Sequence, residues 1–303
     1  MKIPLLTHSK LTLQKSSYET LKAYWRGKNI PQQWYSDREP RTLGWFNDLR
    51  HKRYTLYYEY LARDAEFQYH AGERVLEVGC GIGTDLAEYA LHGAKVCGVD
   101  LGPEQVELTK LNFQLRGLPY DEIKEGNAED LPFEDKTFDL VFCFGVLHHT
   151  VNPQKGIDEI FRVLKDDGRA IVMLYARGWK HYLKRCLIHG LILGKWFRAG
   201  LNWKKVYNEV SEVHGHSPRT EVYTKREVKR MFSRFRTVEI HKRRLGEFIE
   251  YPPYRTFTLP PVVRNFLYFC GLEAWLGENW LIKAHKAAPP PKTSVFDVIF
   301  RHY

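Results

Sequence analysis

Long hydrophobic runs are missing from this 303-residue chain, and so are paired cysteines and clusters of metal-ligating residues. No apolar stretch approaches the ~20 residues that a membrane-spanning helix needs, and the N-terminus shows no signal-peptide pattern. The five cysteines include no C-x-x-C pair, which argues against a zinc site or a disulfide framework. We therefore expect a cytoplasmic protein with reduced thiols and no bound metal.

Two phosphate-binding patterns are also absent. No glycine run ends in Gly-Lys-Ser/Thr, which excludes a P-loop. The glycines of the glycine-rich turn fall at 79, 81 and 83, followed by Thr84, which does not fit the G-x-G-x-x-G spacing of a dinucleotide site. The formal charge of +10 permits nucleic acid, anionic lipid or an acidic substrate, and does not choose among them.

What is present begins with residues 74–100, whose pattern predicts a strand, a glycine-rich turn, a helix and a second strand. Glu77 stands near the end of the first strand, and Asp100 stands at the end of the second. Glycine in the turn allows close approach of the backbone to a ligand, and a carboxylate at the second strand end can accept both hydroxyls of a ribose. This unit predicts one half of a doubly wound sheet that binds a nucleoside.

Further polar groups follow the next predicted strands. A loop at 127–133 comes after a weak strand at 120–126, and the apolar run 138–144 predicts a buried parallel strand. His148 and His149 come just after it, where a histidine can remove a proton near neutral pH. Consecutive residues cannot both face the site, so at most one is a base. The alternative is a buried histidine bonded to backbone.

These motifs occur in order over roughly residues 72–176: Glu-x-Gly-x-Gly-x-Gly, the acid at the second strand end, Asn-Ala-Glu-Asp-Leu-Pro-Phe, and Val-Leu-His-His. Together they resemble the class I S-adenosylmethionine-dependent methyltransferases of the ubiquinone/menaquinone-biosynthesis type. The resemblance implies an α/β Rossmann-like fold with a seven-stranded, mostly parallel sheet and an antiparallel last strand. It also implies S-adenosyl-L-methionine as cofactor, and an enzyme that transfers a methyl group by in-line displacement to oxygen, nitrogen or carbon of a small molecule.

The resemblance carries over to individual positions. His148 and His149 are the catalytic candidates, and no metal ligands are implied. Asn127 stands where the family usually has aspartate, but an amide can accept from the adenine amine and donate to the ring nitrogen N1. The implied cofactor-binding residues are Glu77, Gly79, Gly81, Gly83, Asp100, Leu101, Asn127, Ala128 and Phe144.

Composition changes along the chain predict its organisation. We expect an N-terminal helical lid at 1–70, a cofactor-binding core at 71–176, a basic aromatic cap insertion at 177–222, the C-terminal part of the core at 223–286 with an aromatic and proline-rich insertion at 251–275, and a flexible tail at 287–303. The lid is expected to contain helices at 18–26 and 50–67. The alternative for the lid is a helix pair that packs without touching a ligand.

The segment 177–206 carries eight lysines or arginines and no acid around an apolar centre. We expect it to cap the pocket for an acidic or aromatic acceptor, although the same charges would suit peripheral contact with a membrane. Two other functions stay open: an RNA or protein methyltransferase, and a non-enzymatic adenosylmethionine-binding protein at a membrane surface. No nucleic-acid partner is expected, since no RNA-binding module is recognisable. The sequence leaves the acceptor and the oligomeric state unknown.

Overall fold

A computed structural model of the protein describes residues 18–25, 36–178, 219–244, 249–251, 255–257, 266, 270–271 and 277–287. The helices are α1 (18–25), α2 (Leu43–Lys52), α3 (Leu61–Asp64), α4 (Thr84–Leu91), α5 (Pro103–Arg116), α6 (Pro153–Val163) and α7 (Lys225–Met231). The strands are β1 (Arg74–Val78), β2 (Lys95–Asp100), β3 (Glu122–Glu125), β4 (Phe138–Phe144), β5 (Leu164–Tyr175), β6 (Thr237–Arg243), β7 (Ile249–Tyr251), β8 (Arg255–Phe257) and β9 (Asn279–His285).

Seven strands form one sheet in the order β3-β2-β1-β4-β5-β9-β6. The neighbours from β3 to β5 pair in parallel, whereas β9 is antiparallel to both β5 and β6. The predicted seven-stranded sheet with an antiparallel last strand is therefore confirmed. The strand order reverses between β1 and β4, so the crevice beyond their carboxyl ends is the expected ligand site.

Alternation along the strands sends side chains to two buried layers. Val75 and Phe142 face the layer that contains Tyr89 of α4, and Leu76 faces the opposite layer. Because side chains alternate along a strand, Glu77 and Phe144 point to the same side as Val75 and Phe142. The carboxyl ends of β1 and β4 thus bring Glu77 and Phe144 to one face.

Helix boundaries follow the signals in the sequence. Pro103 begins α5, and Gly117 ends it with a φ of +64°, in the left-handed region that favours glycine. Thr224 and Glu227 form a capping box at the start of α7. These local signals need no tertiary contact, which is why the sequence predicts them well.

The predicted single helix over 50–67 is wrong. The chain instead leaves α2 in a π-helical turn, Arg53–Tyr57, and resumes as the short helix α3. The side chains of Arg53 and Tyr54 both bind Asp85 of α4, and a wider turn lets two consecutive residues reach one carboxylate. Single π-turns of this kind are frequent at functional sites.

Helix α6 ends at Val163 and β5 begins at Leu164, so Asp167-Gly168, which as a sequence pattern would end a helix, lies inside the strand. The β4–β5 register shifts after the Phe138–Leu164 pair, so the polar residues near Gly168 lie in an irregularity of the strand.

Other predictions lie partly outside the described residues. The segment 177–206 is described only at Arg177 and Gly178, and the tail only to residue 287. Cys80, Cys97 and Cys143 are buried free thiols. Among the described helices, none is long and apolar enough to cross a membrane.

Candidate active site

The turn after β1 is built by three glycines whose φ angles are positive: +75° at Gly79, +57° at Gly81 and +73° at Gly83. A Cβ on Gly79 would lie 2.2 Å from Val146 Cγ2, and one on Gly83 would lie 2.6 Å from Thr109 Cγ2. A Cβ on Gly81 would meet nothing within 4 Å. The outer glycines are therefore packed against protein, while the backbone at Gly81 faces open space.

Asp100 holds this turn from the end of β2. Its Oδ2 accepts the Gly81 N–H at 2.9 Å, and its Oδ1 accepts the Gly102 N–H at 3.0 Å. Burial raises the pKa of the Asp100 carboxyl. Each carboxylate oxygen can accept a second hydrogen bond, so Asp100 can both brace the turn and receive hydroxyl groups from a ligand.

Glu77 lies beside the turn and is only 4% exposed. Its Oε2 has no hydrogen-bond partner among the described residues. Burial, and then the neighbouring negative charge of Asp85, raise the pKa of Glu77 well above its usual range. Buried polar atoms are normally paired, so an orphaned carboxyl oxygen indicates a place for a ligand donor or cation.

The loop after β3 is also tightly held. Asn127 Oδ1 accepts the Glu129 N–H at 2.9 Å, and Glu129 Oε1 accepts the Asn152 N–H at 2.7 Å. Ala128 between them is buried, and Leu101 on the neighbouring loop is half-buried. The amide oxygen of Asn127 already accepts a hydrogen bond within the turn, so its NH₂ group is better placed to donate a hydrogen bond to a ligand.

His148 and His149 form a 3₁₀ turn after β4, and their surroundings differ. His149 Nδ1 lies 2.9 Å from the Arg219 carbonyl oxygen, which can only accept, so Nδ1 carries a hydrogen in this contact. His148 is fully buried with its ring centroid 3.8 Å from that of Tyr175. Burial, and then His149, lower the pKa of His148 well below its usual range.

A cation approaches the same edge from the N-terminal segment. Arg53 Nε donates to Asp85 Oδ1 at 2.7 Å, Arg53 Nη2 donates to Asp85 Oδ2, and the Tyr54 hydroxyl donates to Asp85 Oδ1 at 2.7 Å. The Arg53 guanidinium carbon lies 5.0 Å from the centroid of the Phe144 ring. Asp85 is in the first turn of α4, so this pair fixes the N-terminal segment against the helix that follows the glycine turn.

The segment that contains these residues was compared with known proteins. Residues 76–172 match the family described as methyltransferase domain. Residues 76–172 of this chain are therefore similar to methyltransferase domains. The predicted resemblance to the S-adenosylmethionine-dependent methyltransferases is thereby confirmed, and S-adenosyl-L-methionine is the cofactor of those enzymes.

Relatives match the domain and not the whole chain. A demethylmenaquinone methyltransferase of Clavibacter sepedonicus is 37% identical over 122 residues, which are 38% of this chain and 49% of that protein. A ubiquinone biosynthesis O-methyltransferase of Dechloromonas aromatica is 37% identical over 116 residues, 37% of this chain and 49% of that protein. The chain thus spans about half the length of these curated relatives.

The fold extends further than the sequence similarity. The crystal structure of magnesium protoporphyrin IX methyltransferase from Synechocystis PCC 6803, with bound SAH, is similar with a TM-score of 0.52. The likeness covers 89% of this chain and 100% of that chain at 15% identity. At that identity it shows the shared fold alone.

The residues of the methyltransferase domain fit its cofactor. The open space at Gly81 admits a ligand against the backbone, the orphaned Oε2 of Glu77 suits the ammonium group of an amino-acid moiety, and Asp100 can receive hydroxyls. Asn127 and Ala128 lie at the neighbouring strand end. The structure therefore brings the predicted cofactor-binding residues to one edge of the sheet, and their individual roles stay predictions.

Helix α1 crosses this edge. Its Trp25 carbonyl accepts from Gln105 Nε2 at 2.9 Å, and its Lys22 pairs with Glu125 at 2.5 Å. The Trp25 ring lies 5.8 Å from that of His149. Helix α1 thus contacts the regions after β2 and β4 and the end of β3.

Sequence reasoning missed Arg53, Tyr54 and Asp85 as site residues. The two contacts join positions 31 and 32 residues apart. The only sequence signals are an acid in the first turn of the helix after the glycines and a basic-aromatic pair in the N-terminal segment, and neither specifies the other.

Proposed function

We propose that the chain is an S-adenosylmethionine-dependent methyltransferase that acts on a small molecule. One observation carries the proposal: the glycine turn is open at Gly81 and lies between an orphaned buried acid, Glu77, and a ribose-type acid, Asp100. The matched domain supports the same reaction class.

The cofactor supplies a methyl group activated by a sulfonium, so the protein must align an acceptor, exclude water and accept a proton where needed. We assign Glu77 to the amino-acid end of the cofactor, Asp100 to the ribose, and Asn127 with Ala128 and Leu101 to the adenine. The glycine turn provides close backbone approach. Phe144 borders the reacting end, because it ends β4 on the same face as Glu77.

His149 is our assignment for the base. The contact of its Nδ1 with the Arg219 carbonyl orients a ring that follows β4 at the carboxyl end of the sheet. A histidine at that place can accept a proton from an acceptor hydroxyl or amine. His148 is assigned to positioning. When bound, the cofactor would supply the methyl group, and its sulfur would keep the electron pair of the bond that is broken on transfer to an acceptor oxygen, nitrogen or carbon.

We also propose that residues 1–70 act as the lid. Helix α1 bridges loops around the nucleoside end, and the segment 53–64 covers the reacting end through Arg53. Covering both ends would exclude water from the aligned groups. A small-molecule acceptor is supported by the relatives, which are named as quinone-pathway methyltransferases.

Calorimetry with S-adenosylhomocysteine tests the cofactor site, with NADH as the competing ligand. We expect S-adenosylhomocysteine to bind and NADH not to bind, and the reverse result would overturn the proposal. Methyl incorporation from labelled S-adenosylmethionine into a cell extract then tests the acceptor class. Label in small molecules is expected, whereas label confined to RNA or protein would assign the alternative function.

A further inference from the structure

We propose that the exposed face of helix α7 binds the surface of a membrane that contains anionic phospholipids. This face consists of Lys225, Arg226, Lys229 and Arg230, and it is named the basic face. The proposed cofactor site and reaction do not involve these residues. The inference therefore goes beyond the proposed function, and it can hold or fail independently of it.

Helix α7 has one buried side and one charged side. Val228 is fully buried in the core layer that also contains residues of α6, whereas all four residues of the basic face are exposed. Residues four apart are neighbours on a helix, so Lys225 lies beside Lys229 and Arg226 lies beside Arg230, with ~6 Å between Cβ atoms. The helix thus presents four positive charges to solvent as one patch.

The basic face is not neutralised by the rest of the described chain. None of the residues that the structure describes forms an ion pair with its four cations. The helix contains one acid, Glu227, and that acid has other partners. Its Oε2 accepts from the Thr224 N–H at 2.7 Å, and its Oε1 pairs with Arg177 at 3.0 Å. Like charges four residues apart destabilise a helix, and an external anionic surface would remove this cost.

Lysines on two other helices are paired within their own helix. Lys52 binds Asp48 in α2 at 2.7 Å, and Lys110 binds Glu107 in α5 at 3.1 Å. The basic face differs from these helices because its charges are both clustered and unpaired. This local arrangement, and not the net charge of +10, distinguishes α7 as a binding surface.

The composition around the basic face favours lipid over nucleic acid. Helix α7 contains no aromatic residue, whereas proteins that bind single-stranded nucleic acid stack the bases on aromatic side chains. The Arg177–Glu227 pair places the start of the segment 177–206 beside α7. The sequence of that segment combines eight lysines or arginines with three tryptophans and an apolar centre. Cations with tryptophan and apolar residues are typical of contact with a membrane surface.

Co-sedimentation of the full chain with lipid vesicles tests the proposal. Vesicles of phosphatidylcholine and phosphatidylglycerol in a roughly 2:1 ratio are compared with vesicles of phosphatidylcholine alone. We expect the protein to bind only the anionic vesicles, and to bind them less tightly at high salt, because salt screens the attraction between exposed charges. If the protein does not bind the anionic vesicles at physiological salt, the proposal is overturned.

The double variant Lys229→Gln, Arg230→Gln removes half of the basic face. Its affinity for the anionic vesicles should fall by at least about fivefold, since each cation near such a surface contributes roughly a fivefold factor. The control, Lys95→Gln with Lys110→Gln, removes the same charge at β2 and at α5, which packs on the opposite core layer. The control should change the affinity by less than about twofold, because charges more than ~10 Å from the surface are screened. Equal affinities of the two double variants would overturn the proposal.

Two further measurements separate a membrane from other anionic partners. The exchange Lys229→Arg, Arg230→Lys keeps the charge and should keep the vesicle affinity, since a fluid bilayer attracts charge without fixed geometry. Loss of binding in this exchange variant would indicate a site for one shaped anion and overturn the proposal. Displacement of the protein from the vesicles by single-stranded RNA at equal phosphate concentration would assign a nucleic-acid partner instead. The Lys229→Gln, Arg230→Gln variant should melt no lower than the wild type, because repulsion within the basic face is relieved.

Discussion

Asp139 near the amino-terminal edge of the sheet and Glu77 near the carboxyl-terminal edge are both carboxylates at strand ends, but their surroundings are opposite. Asp139 accepts from Lys165 Nζ at 2.7 Å and from the Arg74 N–H at 2.9 Å. Burial acts to raise the pKa of Asp139, but these donors outweigh it, and the net pKa is lowered. Glu77 has an orphaned oxygen and a raised pKa.

Two fully buried histidines repeat the contrast. His70, near the amino-terminal edge, has Nδ1 at 2.5 Å from Glu73 Oε2 and Nε2 at 3.0 Å from the Arg169 guanidinium. His148, at the carboxyl-terminal edge, has neither nitrogen paired within the described residues. Glu77 and His148 thus have unpartnered atoms that their counterparts at the amino-terminal edge do not have, and a ligand at the carboxyl-terminal edge would complete them.

The largest expected effect on the methylation rate distinguishes the two neighbouring histidines, His149 and His148. His149→Ala should lower the rate of methyl incorporation by about 10²–10⁴ at saturating cofactor, because a positioned base is lost. His148→Ala should mainly raise the acceptor concentration needed for half-maximal rate. S-adenosylhomocysteine affinity, measured by calorimetry, should be unchanged in both.

His70→Gln is the control from the other edge, and it should affect stability and leave the rate of the folded protein unchanged. Full activity of His149→Ala would return His149 to a structural role.

A second test concerns the ion pairs between α4 and the segment that begins with α2. In the first pair, the side chain of Asp85 is 2% exposed and that of its partner Arg53 is 21% exposed. In the neighbouring pair, Glu88 binds Arg50, whose side chain is 43% exposed. Asp85→Asn should lower the free energy of unfolding by about 3 kcal/mol, because it leaves a buried guanidinium without its counterion. Glu88→Gln should cost roughly 1 kcal/mol or less.

Urea unfolding of the two variants measures the difference. Equal losses in the free energy of unfolding would show that the Arg53–Asp85 pair stabilises the protein no more than the Arg50–Glu88 pair does. The Asp85 contact would then not distinguish the carboxyl-terminal edge of the sheet from the rest of the protein.

The third test replaces one aspartate at each edge of the sheet with alanine. Asp100→Ala should weaken S-adenosylhomocysteine binding by an order of magnitude or more, since hydrogen bonds to a charged group contribute about 1.5–3 kcal/mol each. The braced turn at Gly81 would be lost as well. Asp139→Ala should leave that affinity unchanged and lower the free energy of unfolding. A reversed pattern, with Asp139 and not Asp100 controlling affinity, would remove Asp100 from the cofactor site.

The sequence predicted the parts of the fold that depend on local patterns. The apolar run of β4, the glycine turn, the start of α5 at Pro103 and the capping box at Thr224 each follow from neighbouring residues. Those signals also place Glu77 and Asp100 at strand ends, because strand length and turn chemistry are local properties.

What the sequence could not predict depends on contacts between distant residues. At the π-turn, Arg53 and Tyr54 both bind Asp85, which lies more than 30 residues further along the chain. Asn279 meets Tyr60 only through the β5–β9 register and the path of the N-terminal segment, a separation of 219 residues. Hydrophobic periodicity contains no information on such pairs, so a continuous helix over 50–67 was the natural prediction.

The smallest expected effect compares the pH dependence of stability at Glu77 and Asp139. A carboxyl whose pKa is raised on folding binds more protons in the native than in the unfolded state, so its contribution to stability falls as pH rises above the ordinary value of 4.5. A carboxyl whose pKa is lowered, such as Asp139, contributes stability above its ordinary value of 3.8 that is lost as pH falls through the lower folded value.

Melting temperatures of the ligand-free wild type, Glu77→Gln and Asp139→Asn between pH 3 and 8 resolve the two signs. Glu77→Gln should gain stability relative to the wild type as pH rises, because it removes a carboxylate that burial and Asp85 penalise. Asp139→Asn should be destabilised at neutral pH, with the deficit shrinking in acid. Saturation with S-adenosylhomocysteine should favour the wild type over Glu77→Gln, since the ammonium group of that ligand would pair with the ionised acid. The opposite result would be that Glu77→Gln loses stability with rising pH and binds S-adenosylhomocysteine as well as the wild type does. Glu77 would then be a hydrogen-bonded structural acid, and the carboxylates at the two edges of the sheet would not differ in their pairing.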